Sequence, residues 1–536
     1  MAPVSLPARV ATDAVALAAL VSAFFATPER LDAAHRGARS GTRRPLLPPP
    51  GRRVPRPVGG LAGRGGRWSV RSSAGGWPAP PRSARWARRG DLRPLFVGRD
   101  GRGEPATFGR LVLGRAGRRL AAAEPRQSVV VFGPTQSGKT SGLAVPAILG
   151  WQGPVLATSV KTDLVDDTIG HRLACGPVAV FDPAGTTGYD SLAWSPVGAA
   201  RTWPMARRAA TALCDGAKAS AGGMSDGDFW YAAAAKLLAP LLFAAATTRR
   251  SLADVVRWVD TQETEEVLEA LAATGVAESV WAARAGFARD DRQRSSVYTT
   301  VETVLDPLAG QVGGGPTLDP GGVVSAGGTL YLCAPAHDQR RLVAAFTAVT
   351  RAAIEHVYER VAATRRPLDP PLLVVLDEAA NVAPLPELDG LAATAAGHGV
   401  QLVTVWHDLA QITARYGPRA TTVVNNHRAK LFLSGISDVS TLDYASHLVG
   451  DEEVPVPVVS TDGRGGSTTT RSPTTRRLVT PGGVRRLRPG EALLVYGGLP
   501  PARLRLTPWT DDAVLRLQGR RRDPRPGSGT GATTGA

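Results

Sequence analysis

Short runs of apolar residues recur through most of the chain: Val129–Phe132, Val155–Val160, Val178–Phe181, Thr329–Cys333, Leu372–Leu376, Leu402–Trp406, Ala429–Leu433 and Ala492–Tyr496. Each is bounded by turn or charged residues, which predicts short buried strands. Helical stretches separate them. Apolar strands alternating with helices predict an α/β fold with a mainly parallel sheet covered on both faces.

Between about residues 201 and 310 the strand pattern stops. Helical spacing runs through Trp203–Cys214, Phe229–Ala246, Leu252–Asp260 and Thr264–Ala272, with Asp228 placed as an N-cap for the second. This predicts an all-α domain, 201–310, inserted into a nucleotide-binding domain made of residues 91–200 and 311–515. Residues 457–480, rich in Gly, Ser, Thr and Arg, read as a flexible loop. Residues 28–90, rich in Arg, Pro and Gly, read as mostly unstructured, with order beginning near Leu92; a disordered tail is expected over 516–536.

A chain of 536 residues exceeds what one simple core organises, so two or more domains are expected. Charge adds a second division. The net charge is +17, and residues 1–126 hold 24 Arg, no Lys and 7 acids, while the remainder balances 39 basic against 39 acidic residues. Such a tract fits a nucleic-acid or anionic-membrane contact, or simple disorder with an arginine bias. The longest apolar run within it, Ala14–Ala26, is broken by Ser22 and falls short of the roughly 20 residues a membrane span needs. Cys175, Cys214 and Cys333 form no C-x-x-C pair, so neither a disulfide framework nor a zinc site is expected.

Two motifs carry chemistry. The strand Val129–Phe132 leads into Gly133-Pro134-Thr135-Gln136-Ser137-Gly138-Lys139-Thr140, and a helical run, Ser141–Leu149, follows, with Pro146 a possible kink. Strand, glycine-rich turn and helix are the context a phosphate-binding loop requires. Glycines allow the backbone to wrap phosphate, and N–H groups at the helix start face the negative charge. Residues Gly133 to Ser141 are therefore expected to hold the phosphates of ATP, Lys139 to contact the β- and γ-phosphates, and Thr140 to ligate Mg²⁺. The second motif is the apolar run Leu372–Leu376 ending in Asp377-Glu378. A buried strand would deliver both carboxylates to the end of the sheet, Asp377 for the Mg²⁺ shell and Glu378 to orient and polarise the attacking water. His407, just past the strand Leu402–Trp406, stands where a γ-phosphate sensor is expected, or else caps the strand end. One decoy, Gly223-Met224-Ser225-Asp226-Gly227, matches a hydrolase elbow but follows a loop rather than a strand.

With these residues in view, the chain resembles the TraG/TraD-like coupling proteins of type IV secretion systems, over about Trp86 to Trp509. The markers are the phosphate loop, Ser159-Val160-Lys161-Thr162-Asp163, Phe229-Trp230-Tyr231, Leu376-Asp377-Glu378-Ala379-Ala380-Asn381, Ala410–Gly417, and Asn425-Asn426-His427-Arg428-Ala429-Lys430. The resemblance implies a RecA-like P-loop ATPase with a helical insert that selects cargo. It implies a homohexamer at the cytoplasmic face of the cell membrane. It also implies that ATP hydrolysis pumps single-stranded DNA, with a bound relaxase, into the channel components. Three departures stand out. Relatives carry Gln where His407 stands. Some place an Arg in the segment that here reads Ala395-Ala396-Gly397-His398-Gly399, leaving Arg415, Arg419 or Arg428 as finger candidates. Relatives also carry N-terminal membrane helices, so membrane contact here is expected through a segment missed upstream or through a partner. Two alternatives remain at this level: a receptor latched by nucleotide with little hydrolysis, and an FtsK-like or HerA-like pump of double-stranded DNA.

Overall fold

The computed structural model describes residues 83–98, 106–220, 227–309, 316–461 and 467–520. The strands are β1 (Val112–Ala116), β2 (Arg119–Ala122), β3 (Val129–Phe132), β4 (Val155–Ser159), β5 (Val178–Phe181), β6 (Thr329–Cys333), β7 (Leu372–Leu376), β8 (Val400–Trp406), β9 (Ala429–Leu433), β10 (Asp451–Thr461), β11 (Ser467–Arg477), β12 (Glu491–Tyr496) and β13 (Ala502–Arg505). Eleven of them form one sheet in the order β2-β1-β13-β12-β9-β3-β8-β7-β4-β6-β5. The stretch from β9 to β5 is parallel throughout. Apolar runs in the sequence predict every one of its strands.

The reason those runs are apolar without alternation is visible in the packing. Val130 and Phe132 point into one core and Val129 and Val131 into the other, and β7 divides the same way. Both faces are buried, so most positions on the central strands are apolar and the polar exceptions, such as Thr404 and Lys430, hydrogen-bond within the core; each buried Val or Leu contributes about 1.5–3 kcal/mol. Phe132 and Phe432 stack across β3 and β9 with centroids 5.2 Å apart.

Residues 203–309, as far as they are described, are helical: Trp203–Ser220, Gly227–Thr247, Leu252–Asp260, Glu265–Ala272, Ala277–Phe287 and Asp291–Ala309. Their core continues that of one sheet face, through helix Gln339–Thr364. Gly216 makes this approach possible, because a Cβ there would lie 2.7 Å from the Ala344 Cα. Helix Gly227–Thr247 is long and apolar enough to cross a membrane, but Leu237, Leu238, Leu241 and Leu242 are buried against its neighbours, as in a core helix. Asp228 is not its N-cap: it lies within the first turn and pairs with Lys218 at 2.5 Å. Ser251 does cap by side chain, in a reciprocal box with Asp254 at the start of Leu252–Asp260.

Several expectations need correction. The apolar run of β12 suggests a member of the parallel set, yet it runs antiparallel to β9 and opens an antiparallel extension, β12-β13-β1-β2. The composition of 457–480 suggests a loop, but most of it belongs to the two-stranded hairpin β10–β11, in which Asp451 pairs with Arg477. β11 is polar and threonine-rich, and its described side chains are almost all exposed, which hid it. Order starts before Leu92: Ala84 N–H donates to Asp451 O at 2.7 Å and Ala87 N–H to Pro501 O at 2.8 Å. Helix Ala513–Gly519 likewise overlaps the expected tail. The expectations for 1–82, for Gly223 to Asp226 of the decoy, and for 521–536 lie outside the described residues.

The stretch Asn425–Lys430 turns out to be scaffold at the opening end of β9. Asn426 donates to Asp389 O at 2.9 Å, and Lys430 Nζ donates to His427 O at 2.7 Å. His427 is fully buried between Thr404 Oγ1 (3.1 Å) and Val423 O (2.7 Å), and burial pushes its pKa down to about 4 from an ordinary 6.5. Between those values the unfolded chain binds the extra proton and the folded chain does not. Stability is therefore expected to fall as pH drops from about 6.5 to 4, by about 3 kcal/mol at most. Urea unfolding across that range checks this: His427→Gln should remove a clear part of the slope, and an identical slope in both proteins would refute it.

Candidate active site

The carboxyl ends of β3, β7 and β8 meet at one place, because β8 lies between the other two. The register sets Phe132 opposite Trp406, and Leu376 opposite Thr404. Gly133 N–H donates to Trp406 O at 3.0 Å, and Ala379 N–H to Val405 O at 3.1 Å. The phosphate loop, Asp377-Glu378 and His407 therefore emerge side by side, although they are up to 274 residues apart in the chain, the span from Gly133 to His407.

The loop has the backbone its sequence requires. Gln136 and Gly138 have φ of 64° and 85°. A Cβ on Gly133 would come within 2.5 Å of Ser137 Oγ and 3.1 Å of Leu433, so only glycine fits that turn. Lys139 curls back over the loop, its Nζ donating to Gly133 O and Pro134 O at 2.7 Å each. Burial lowers its pKa, while the charges of Asp377 and Glu378 raise it. Ser137 Oγ is buried without a partner, a donor left for a ligand oxygen. Thr140 opens a π-helical turn, Thr140–Ala144, which passes into α-helix Val145–Gly150. Pro146 follows that switch, where the wider turn absorbs its missing N–H; Pro146 thus marks a change of helix type.

Thr140 Oγ1 donates to Asp377 Oδ2 at 3.1 Å. Thr158 at the end of β4 supports the same residue, donating to Asp377 O at 3.3 Å; no motif marked this threonine. Burial raises the Asp377 carboxyl to about 6, with the Thr140 hydrogen bond opposing. Two hard oxygen ligands side by side suit Mg²⁺, which keeps waters and phosphate oxygens for its other positions. Among the described residues there is no cluster of three or more His, Cys, Asp or Glu that would suit a caged metal instead. Glu378 is half-buried just beyond, with φ of 55°, a left-handed conformation uncommon for a side-chain-bearing residue and concentrated at functional sites.

His407 lies one residue beyond Trp406, at the shared strand end. Its N–H donates to Gln411 Oε1 at 2.9 Å, and Asp408 caps the following helix Leu409–Tyr416 by accepting from Gln411 N. The finger candidates are each engaged within the chain. Arg415 donates to Ala219 O and to Ala380 O, Arg419 pairs with Asp389, and Arg428 pairs with Glu124 and lies over Tyr496. Arg428 also precedes β9, at the opposite end of the strands from the loop. A further contact was invisible in the motifs. The C-terminal stretch reaches the loop's helix, with Leu506 beside Gly142 and Trp509 Nε1 donating to Asp167 Oδ2 at 3.1 Å.

A mostly parallel sheet with a phosphate loop after β3 and an acidic pair after β7, on either side of β8, defines the P-loop NTPase class. Within that class, the model of the type IV secretory system conjugative DNA transfer family matches residues 86–522, and the chain belongs to this family of TraG/TraD-like coupling proteins. It is 23% identical over 445 residues to the conjugal transfer protein TraG of Agrobacterium fabrum, covering 76% of this chain and 64% of that protein's length. Shorter stretches of 73 residues are 37% identical to a TraG of Escherichia coli, covering 13% of this chain and 11% of that protein. Among solved structures, plasmid coupling protein TrwB in complex with ADP and Mg²⁺ superposes with a TM-score of 0.57 at 19% identity, over 81% of this chain and 96% of that one. The fold is therefore TrwB-like.

Proposed function

We propose that this chain is an ATP-driven coupling protein that recruits single-stranded DNA, with a bound relaxase, and moves it into a type IV secretion channel. The observation that carries the reading is the 3.1 Å contact between Thr140 and Asp377, which joins the phosphate loop to the acidic pair within a family of conjugative DNA transfer. TrwB binds ADP with Mg²⁺, and also a non-hydrolysable ATP analogue. ATP and Mg²⁺ are accordingly the ligands proposed here.

In this reading the N–H groups of the loop and Ser137 Oγ receive the phosphates, and Lys139 leaves its two carbonyls to take a phosphate oxygen. Thr140 and Asp377 would hold Mg²⁺, which supplies charge neutralisation on the phosphate oxygens. Glu378 orients a water and takes its proton as the water's oxygen attacks the γ-phosphorus; ADP carries away the electron pair of the broken bond. His407 hydrogen-bonds the γ-phosphate in the place of the family's glutamine. The helices of 201–310 form the cargo-selecting face, and a homohexamer at the cytoplasmic face of the membrane is the working assembly.

ATPase rates of the full chain with and without DNA test this. Several-fold stimulation by single-stranded DNA is expected. Tight ATP binding with negligible turnover under both conditions would instead make the protein a latched receptor. Stronger stimulation by duplex than by single strands would make it a duplex pump.

A further inference from the structure

The antiparallel end of the sheet carries a trough of about 810 Å³ lined by Trp86, Phe96, Arg89, Arg118, Arg119 and Arg503. All four arginines are exposed. Arg503 lies over the Trp86 ring at 4.7 Å and Arg119 over the Phe96 ring at 5.2 Å. Stacking uses the flat face of a guanidinium and leaves its N–H edge for acceptors, so two of these cations are held in place with their donors available. Among the described residues, no carboxylate lies within ion-pair distance of any of the four. The nearby Asp91 is spent on Arg85 at 2.6 Å.

Four like charges around one hollow repel one another unless an anion joins them. The chain's own N-terminal tract does not qualify: residues 1–82 hold 13 arginines against 3 acids. Charge complementarity with the four exposed arginines points to an external polyanion as the occupant. A concave trough fits a strand better than a flat membrane surface, and the ring faces already covered by arginine leave no platform there for stacked bases. What remains is recognition of successive phosphates without regard to sequence.

We infer that this trough binds the phosphodiester backbone of single-stranded DNA, as a contact separate from the nucleotide site. Five strand spacings, about 24 Å, separate β2 from β3. This inference rests on the reading that the cargo is DNA. It adds where on the surface the strand is held.

The test is binding of labelled oligothymidine to the full chain across a salt series. Compared are wild type, the triple variant R118Q/R119Q/R503Q, and the same three positions changed to Lys. Each lost phosphate contact lowers the slope of log K against log salt by about 0.7 for single strands, so the Gln variant should lose about 2 from the slope and the Lys variant almost nothing. Basal ATPase without DNA should match wild type in both, since none of the three residues lies near the phosphate loop. An unchanged slope in the Gln variant overturns the inference and leaves the proposed function standing. So does retention of DNA binding with loss of binding to phosphatidylglycerol–phosphatidylcholine vesicles, which would make the trough a lipid site. Absence of any single-stranded DNA binding by wild type overturns the proposed function, and this inference with it.

Discussion

Glu378→Gln is expected to lower ATP turnover by about 10²–10⁴-fold, the usual worth of a positioned general base, while leaving ATP affinity close to wild type. The substitution keeps the length and shape of the side chain and removes only its capacity to accept the water's proton. Backbone effects are controlled too, because Glu378 has φ of 55° and glutamine tolerates that conformation about as well as glutamate. Lys139→Ala supplies the contrast. Its ammonium, tethered to Gly133 O and Pro134 O, is the loop's one charge for phosphate, so its loss should weaken ATP binding as well as turnover. Equilibrium binding of a labelled ATP analogue, run beside steady-state hydrolysis, separates the two. If Glu378→Gln hydrolysed ATP at the wild-type rate, the general-base role would be wrong. If Lys139→Ala bound ATP unchanged, the loop would not be the phosphate site.

How far these roles could be read in the sequence depends on the range of the forces involved. The loop was legible because local backbone geometry demands glycine at Gly133 and a positive-φ residue at Gly138. The seven parallel strands were legible because burial on both faces leaves an unmistakable apolar run. β13, Ala-Arg-Leu-Arg, buries alternate residues only and carries arginines outward, so four residues made no signal. β1 and β2 are as short and nearly as polar. The order of strands, which alone brings His407 between the loop and Glu378, is a tertiary outcome with no local signature. Asp228 misled for a related reason: its type suits an N-cap, but the helix begins at Gly227 and a lysine from the preceding helix holds it. Tertiary contacts likewise explain why Asn425–Lys430, a marker in the sequence, serves β9 rather than the nucleotide.

Arg415→Ala should abolish the stimulation of ATPase by cargo while sparing much of the basal rate. Arg415 sits one turn beyond Gln411 on the helix that His407 precedes, and its guanidinium donates to two carbonyls from distant parts of the chain. One is Ala219, at the end of helix Trp203–Ser220; the other is Ala380, two residues after Glu378. A single rigid fork thus ties the helical segment to the acidic strand end. Under the proposed function, this is a direct hydrogen-bonded route from a cargo-contacting face to the residue that activates water. Burial lowers the pKa of Arg415, so the group is held against its own desolvation by those two acceptors. Removing it orphans both carbonyls at about 1–3 kcal/mol each, which should also depress the melting temperature. A stability loss alone would scale basal and stimulated rates together. Loss of coupling changes their ratio, and only the ratio bears on the claim. Arg415→Lys, which can reach one carbonyl at a time, should fall between the two. If the Ala variant is stimulated by single-stranded DNA to the same fold as wild type, Arg415 is a structural tie and the signal passes elsewhere.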